Sequence, residues 1–490
     1  MQDQKYDGIV IGSGVAGMST AITLANVGHQ ILVVEQNDFY GGKLAELHSG
    51  GFRFDMGPSL FTQPQWVEDL FRSCGKNPKD YFDYNALEEV CRYYYDDQQP
   101  IKAFANIEAF AQEIEAKTAD SAEAVLKYFD DSKEIYEMTT PVFLEKSLHQ
   151  WATYWNTTTF KAALKLHRLD NFRSLHKAHL AYFKDKKTIQ LFDRFATYNG
   201  SNPYEAPATL KVIPYLEHGI GAYVAKGGMY AIMKAMKKLA DELGIEFSFG
   251  HAAEEIVYDK NQAIKGLQTS KGFIASSCVI SNVDVHTTYE KLMPKTKSPF
   301  WLKKKLSTSA LIFYLGVKGN FPELGVHNIF FSGDYKKEFD ALFKHKVLDD
   351  DPTVYLYISS KFNASDAPEG HENWFLMVNT PPHFQPENLN KIRRQLLKKV
   401  EKSIGRPLQD CVVFEDCITP GRLSNRTGSM GGALYGNHSN DMMAAFMRHS
   451  NFSRRFKGLY FTGGSVHPGG GIPLCIKSGQ ITAAMILNKK

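Results

Sequence analysis

The hexad Gly12-Ser13-Gly14-Val15-Ala16-Gly17 constrains this chain more than any other feature, because of what flanks it. Before it lies a short apolar run, Tyr6-Asp7-Gly8-Ile9-Val10-Ile11, of strand type; after it, residues 18–27 carry a helical pattern. Strand, glycine turn and helix in this order form a dinucleotide-binding unit. Gly12 permits the tight turn, Gly14 lets backbone approach a pyrophosphate, and Gly17 lets the helix pack closely on the strand. With Ser13, Val15 and Ala16 they form the expected cofactor turn, where the helix start presents free N–H groups to phosphate. A second apolar strand, 30–34, runs into Glu35 and Gln36; the Glu35 carboxylate can accept both ribose hydroxyls and disfavours a 2′-phosphate. The unit alone admits either NAD or FAD.

No Asp, Glu, Lys or Arg occurs from Gly8 to Val34, so hydropathy alone would read a membrane span or a signal peptide there. Gly8, Gly12, Gly14, Gly17 and Gly28 within it, and a leader that balances Lys5 with Asp3 and Asp7, argue against both. The 490 residues as a whole are 43% hydrophobic and 13% aromatic, which excludes disorder, collagen and coiled coil and predicts two or three domains. With 57 basic against 53 acidic residues, the net charge of +4 is too small to imply a nucleic-acid partner. Cysteines at 74, 91, 278, 411, 417 and 475 form no C-x-x-C pair and no metal-ligand spacing, so no metal site and a reducing, cytoplasmic compartment are expected.

Beyond Glu35 come Gly41-Gly42-Lys43 and then Gly51-Phe52-Arg53-Phe54-Asp55-Met56-Gly57-Pro58-Ser59-Leu60, for which a nicotinamide dehydrogenase has no use. In this order they resemble the flavoprotein superfamily of amine oxidases, carotenoid desaturases and prenyl-binding GDP-dissociation inhibitors. That resemblance implies FAD as cofactor, with Gly42 and Lys43 at its phosphates and polar chain and with Pro58, Ser59 and Leu60 beside it. Near the far end, Gly458-Leu459-Tyr460-Phe461-Thr462-Gly463-Gly464 runs into His467-Pro468-Gly469-Gly470-Gly471-Ile472-Pro473, followed by a helix from Leu474. Pro473 suits the first helical position. This motif closely resembles that of the bacterial carotenoid desaturase family, which includes phytoene desaturases and the 1-hydroxycarotenoid 3,4-desaturases. The likeness extends through Tyr198-Asn199-Gly200-Ser201-Asn202-Pro203, Tyr215-Leu216-Glu217, Lys226-Gly227-Gly228-Met229 and Ser281-Asn282-Val283-Asp284. It departs where Val224-Ala225-Lys226 replaces the family's usual proline and aromatic. The resemblance places Gly463, Gly464, Gly471, Ile472, Pro473 and Leu474 at the flavin, Ala253 near the adenine and Asn282 near the flavin side chain.

The fold this implies is a mixed α/β one: a Rossmann-type FAD-binding domain of the glutathione-reductase and amine-oxidase type, an inserted antiparallel-sheet substrate domain, and a helical membrane-facing region. The boundaries fall at 1–75, 225–290 and 415–490 for the FAD domain, and at 76–140, 191–224 and 291–414 for the substrate domain. Residues 141–190 form the lid or membrane-associating region, where Trp151, Tyr154, Trp155, Phe160, Phe172, Tyr182 and Phe183 interleave with basic side chains. Strands are expected at 244–249, 251–258, 264–269 and 278–281 in the nucleotide domain. Further strands at 92–95, 310–317, 328–331, 354–359, 374–378 and 412–414 alternate as an antiparallel sheet does. One apolar face of that sheet could wall a long hydrocarbon; an ordinary sheet core is the alternative.

The activity implied is carotenoid desaturation: flavin takes a hydride from an allylic C–H, and proton loss completes a new conjugated double bond. The family impression favours C-3,4 desaturation of a 1-hydroxylated acyclic or monocyclic carotenoid, with phytoene desaturase, flavin amine oxidase, retinoid saturase and a non-catalytic prenyl-lipid binder as alternatives. Implied partners are the carotenoid, membrane lipid in peripheral contact at the cytoplasmic membrane, and oxygen or a quinone as electron acceptor. Glu217 and His218 are the candidate proton acceptors, although structural roles suit both. His176 and His179, at i and i+3 on a predicted helix, lack companion ligands and are expected on its basic face.

Overall fold

The computed structural model describes residues 5–488 except 98, 145, 151–152, 154–169, 171, 301 and 442–447. At its centre the strand Gly8–Ile11 occupies the middle of a five-stranded parallel sheet. The order is Leu459–Phe461, Val279–Ser281, Gly8–Ile11, Ile31–Val34 and Glu246–Ser248. Every residue of the strands Gly8–Ile11 and Ile31–Val34 is buried, because both faces of the sheet are covered. Val10 and Val33 face the helices Val15–Ala25, Ala231–Glu242 and Ile472–Leu487. Ile9, Ile11, Leu32 and Val34 face a separate antiparallel sheet of Ala253–Tyr258, Ile264–Thr269 and Gly272–Ala275. The expected strands at 251–258 and 264–269 thus form a covering layer and do not extend the parallel sheet.

The first and last helices touch through small residues. A Cβ on Gly479 would lie 2.6 Å from the Ser19 Cβ and 2.7 Å from the Ala16 carbonyl oxygen, while one on Gly17 would lie 2.3 Å from the Gly12 carbonyl oxygen in the turn before its own helix. The Ser19 hydroxyl donates to the Ile476 carbonyl (2.9 Å), so the two helices pack backbone against backbone.

A seven-stranded sheet forms the second half. Its order is Val412–Ile418, Ser309–Lys318, His371–Thr380, Val354–Tyr357, His327–Phe330, Glu89–Tyr94 and Ile101–Phe104. It is antiparallel as expected, except that His327–Phe330 and Glu89–Tyr94 run parallel. Side chains alternate across it. Leu311, Phe313 and Leu315, with Trp374, Leu376 and Val378, meet the amphipathic helix Leu389–Ile404. The opposite face carries Ile312, Phe375, Met377 and Tyr355, which line a cavity between the two sheets.

Helices Ile107–Lys117, Ala122–Thr139, Leu175–Tyr182 and Lys186–Asp193 pack as a layer behind Tyr93, Tyr95 and Phe331. Asn106, Ser121, Ser174 and Asp185 cap their starts by accepting backbone N–H bonds. Within 175–190, Leu175, Ala178, Phe183 and Ile189 are buried in this layer. Trp151, Tyr154, Trp155 and Phe160 fall outside the described residues. His176 and His179 do not share an exposed basic face. Their Nδ1 atoms bond the two oxygens of buried Asp193 at 2.6 and 2.7 Å, and His179 is wholly buried, with Nε2 on the Tyr128 hydroxyl at 3.1 Å. Among the described residues no helix is long and apolar enough to cross a membrane, and no cluster of three His, Cys, Asp or Glu side chains could hold a metal.

A hairpin of Glu46–Ser49 and Phe52–Asp55 joins the halves through buried Arg53. Its guanidinium makes a two-point contact with Asp366 (2.6 and 2.7 Å) and bonds Asp55 at 2.9 Å. Asp55 also accepts the Met229 N–H at 3.0 Å. A Cβ on Gly228 would lie 2.2 Å from Arg53, which explains the glycine there. Removing one partner of a buried charge cluster leaves charge uncompensated. Asp366→Ala is accordingly expected to lower the unfolding free energy by about 3 kcal/mol, read from the urea midpoint at unchanged slope.

Candidate flavin site and substrate cavity

One cavity of about 750 Å³ spans the interface of the two sheets. Gly12, Gly14, Val15 and Ala16 of the hexad line it, with Glu35, Gln36 and Ala253. So do Gly42, Lys43, Pro58, Ser59, Leu60 and Asn282. The far motif contributes Gly463, Gly464, Gly471, Ile472, Pro473 and Leu474. The residues singled out in three distant stretches of sequence thus meet on one surface. Ser13 and Gly17 stand behind it: Gly17 packs on the turn, and Ser13 holds Glu35.

Glu35 is engaged on both oxygens. One accepts the Ser13 N–H (2.9 Å) and hydroxyl (2.8 Å); the other accepts the Asn37 N–H (3.0 Å) and side-chain amide (2.7 Å). These bonds tie the glycine turn to the end of the second strand. Gln36 reaches across to the carbonyls of Asn425 and Arg426 on the helix Pro420–Thr427. Asn282 receives no Cβ from its neighbours: its side-chain oxygen lies 2.8 and 3.0 Å from where Cβ atoms on Gly14 and Gly17 would be, and its nitrogen 2.6 Å from that of Gly463. Three glycines from two motifs make room for this one side chain, whose amide donates to the Thr462 carbonyl at 3.1 Å.

Lys43 and Arg426 face the cavity beside these segments. Lys43 Nζ donates to the carbonyls of Ala433 (3.0 Å) and Leu434 (2.6 Å), and burial pushes it down to about 8. Arg426 donates to the Met56 carbonyl at 3.3 Å while its Nε has no hydrogen-bond partner; burial lowers it too. A glycine turn with no Cβ in the way, a helix start and two half-buried cations held by carbonyls together fit a dinucleotide pyrophosphate. The last helix starts at Ile472, one turn position earlier than the sequence suggests, with Pro473 second; a Cβ on Gly471 would meet nothing within 4 Å, so the backbone is open there.

Across the cavity the sheet presents Ile312, Ile329, Phe375 and Met377, joined by Val90, Ile213 and Leu216. Polar groups interrupt this wall, among them two clusters around Glu217 and His327. Glu217, almost fully buried, accepts the Tyr198 hydroxyl and lies 3.5 Å from Arg194, whose guanidinium stacks over Phe195 at 4.6 Å and donates to the Tyr93 hydroxyl at 2.7 Å. His327 Nδ1 meets the Tyr355 hydroxyl at 2.8 Å, and that hydroxyl meets Ser59 Oγ at 2.5 Å. Burial pushes His327 down to about 3. His218 does not line the cavity. Its ring stacks on Phe110 at 4.7 Å and its Nδ1 bonds the Phe104 carbonyl at 2.9 Å, inside the helical layer.

Sequence reasoning missed Asn37, Arg194, His327, Tyr355 and Arg426. None sits in a glycine motif; Asn37 meets the site through Glu35 two residues before it, and the others through pairing across long stretches of chain.

The chain matches the flavin-containing amine oxidoreductase family over residues 15–487. It is 43% identical to a 1-hydroxycarotenoid 3,4-desaturase of Flavobacterium sp. (strain P99-3), covering 98% of this chain and 99% of the relative. It is 33% identical to a 4,4'-diapolycopene oxygenase of Methylomonas sp., covering 98% and 97%. Among solved structures the fold resembles that of a putrescine oxidase variant (TM-score 0.66, 13% identity, 99% of each chain) and of cyclohexylamine oxidase from Brevibacterium oxydans IH-35A (TM-score 0.62, 13% identity, 99% of each). A family match across almost the whole chain and relatives above 30% identity along their full length lead to one assignment: this chain belongs to the flavin-containing amine oxidoreductase family, in its carotenoid desaturase branch, and is an FAD-dependent oxidoreductase.

Proposed function

We propose that the protein desaturates the C-3,4 bond of a 1-hydroxylated acyclic or monocyclic carotenoid. The observation that carries this reading is the single cavity in which the dinucleotide turn and an apolar sheet face oppose each other. The near full-length relative named for that reaction supports it. Bound FAD supplies the hydride acceptor. The chain's own residues do the rest. Gly12, Gly14, Glu35, Gly42, Lys43 and Arg426 hold the cofactor's polar half, and the turn at Gly463, Gly464 and Gly471–Leu474 borders its ring. Ile312, Phe375 and Met377 grip the polyene and exclude water, which would otherwise capture a developing cation. Glu217 is the proposed proton acceptor on the chain. The acid it faces is strong, so a carboxylate paired to Arg194 is basic enough.

Residues 1–75, 225–290 and 415–490 would make up the cofactor unit, although the strand Val412–Ile418 crosses its last boundary into the sheet of the substrate unit. Peripheral binding to the cytoplasmic membrane would deliver the substrate, with oxygen or a quinone as final electron acceptor. Almost fully exposed Phe172 and Phe300 support a lipid-facing surface.

Purified, FAD-loaded protein in liposomes carrying 1-hydroxylated, unhydroxylated and phytoene-type carotenoids is expected to red-shift the absorption of the hydroxylated substrate. Conversion of phytoene in its place would move the assignment to an earlier desaturation, and conversion of none, with an electron acceptor present, would refute it.

Cofactor affinity should depend on pH in a definite direction. Lys43 with its pKa near 8 is charged at pH 7 and neutral above, and an anionic pyrophosphate holds the proton on. FAD is expected to bind about tenfold more weakly at pH 9 than at pH 7, and Lys43→Met to flatten that profile, followed by flavin fluorescence on release. Glu35→Gln should weaken FAD binding roughly 10- to 100-fold by removing charge-assisted acceptors, measured by the same titration.

A further inference from the structure

A second cavity, of about 440 Å³, is joined to the turn at Gly463 and Gly464 by Arg448. This buried residue lines it and donates to the carbonyls of Gly464 (3.0 Å) and Tyr435 (2.9 Å). The volume is that of a small-molecule site, roughly 300 to 1,000 Å³. Tyr289, Pro299, Phe452 and Phe456 give the cavity an apolar lining. Lys297, Arg454 and Arg455 line it too, and all three residues are exposed, so this edge meets solvent.

No carboxylate accompanies these cations. Among the described residues four Lys or Arg line the cavity and no Asp or Glu does. The stretches 150–169 and 442–447, next in sequence to His149 and Arg448 at its edge, contain no Asp or Glu either. Nearby lysines are neutralised one by one: Lys295 by Glu255 (2.8 Å), Lys304 by Glu290 (2.5 Å) and Lys305 by Asp441 (2.6 Å). Lys297, Arg454 and Arg455 make no ion pair among the described residues. The backbone holds the two arginines in place. Ser453 Oγ accepts the N–H groups of Arg455 (3.2 Å) and Phe456 (2.9 Å), and the Arg455 guanidinium lies over the Phe456 ring at 5.1 Å. Like charges gathered at one opening repel, and an anion there relieves them; the guanidinium fork matches phosphate oxygens.

The site is thus amphipathic, with cations at the mouth and hydrocarbon within. Free phosphate would use only the mouth, whereas a phospholipid uses both. Phe300, the residue after Pro299, is 94% exposed, which puts an aromatic ring beside the cations, as interfacial segments do. We propose that this second cavity binds the phosphate of an anionic membrane phospholipid through Lys297, Arg454 and Arg455, with Phe300 entering the bilayer beside it. This rests on the peripheral membrane contact proposed above and names the lipid for it.

The test sediments FAD-loaded protein with phosphatidylcholine vesicles that do or do not contain phosphatidylglycerol, for wild type, Arg454→Gln/Arg455→Gln, Lys297→Gln and Phe300→Ser. Flavin absorption is recorded for each as a check on folding. Lys265→Gln/Lys295→Gln is the control, since it removes the same charge from lysines paired to Asp259 and Glu255. Wild type is expected to favour the anionic vesicles. On them the double arginine variant should lose roughly 25-fold in affinity and Lys297→Gln about fivefold, with a far smaller loss in the control. Phe300→Ser should lose about tenfold on both vesicle types. An equal loss in the control and in the double arginine variant overturns the site, as the mark of overall charge alone. Should the double variant fail to retain flavin, Lys297→Gln, a single exposed change, decides by the same comparison. Inorganic phosphate is the second probe. If it raises the melting temperature of wild type but not of the double variant, and wild type shows no vesicle preference, the cavity takes a free anion and the lipid is overturned. Wild type that binds both vesicle types alike, with the variants unaffected, overturns the site and leaves membrane contact intact; wild type that binds neither overturns both.

Discussion

The architecture depends on one crowded contact, the insertion of the Asn282 side chain among Gly14, Gly17 and Gly463. The backbone N–H of Asn282 bonds the Ile11 carbonyl at 2.9 Å, which sets the register between the central strand and the strand Val279–Ser281. Its side chain then reaches the Thr462 carbonyl at the end of the next strand. Three consecutive strand ends are fixed by a single residue, and the turns that follow the first and last of them are brought to one surface. Glycine at these positions is needed for space as much as for phosphate approach, since a methyl group at any of them would displace the amide. The dinucleotide fingerprint is here a packing motif that also leaves backbone N–H groups facing the cavity.

The second coupling is electrostatic. Arg53 lies between Asp55 and Asp366 and against Gly228, so the hairpin after the glycine pair, the Lys226–Met229 turn and the substrate-side sheet are tied at a buried point. Met56–Leu60 leaves that hairpin to line the cavity, and its course follows from this anchor. Two aspartates on one guanidinium leave one formal negative charge, and the Met229 N–H and Tyr357 hydroxyl directed at Asp55 spread it.

Motifs that act locally were legible in the sequence. The hexad, Glu35, the glycine pair at 41–42 and the Gly469–Pro473 run carry their meaning in adjacent residues, and all border the cavity. Apolar strands of the larger sheet were legible too: 310–317 was expected and Ser309–Lys318 is observed, while the expected 374–378 is only the centre of His371–Thr380. Short strands without alternation escaped, among them Tyr84–Ala86 and Tyr223–Ala225, which pair with each other outside both large sheets. His176 and His179 were misplaced for a similar reason: their partner Asp193 comes from the next helix, and helical spacing alone cannot show which face is covered. Glu217 and His218 illustrate the limit most sharply. They are neighbours in sequence, yet a turn of helix sends one to the cavity and the other into the helical layer.

Charge is divided along the cavity in a way that suits the chemistry proposed for it. On the cofactor side half-buried Lys43 and Arg426 donate to carbonyl oxygens, so a pyrophosphate would supply the negative charge they lack. On the substrate side His327 is neutral, and Arg194 is balanced by Glu217 with three aromatic rings around it. Positive charge that develops on a polyene there meets no unbalanced cation and a cluster of ring faces with negative quadrupole. A cation placed at position 327 would remove this division: it would raise the energy of the very state in which hydride has left, and would do so without touching the residues that hold the cofactor.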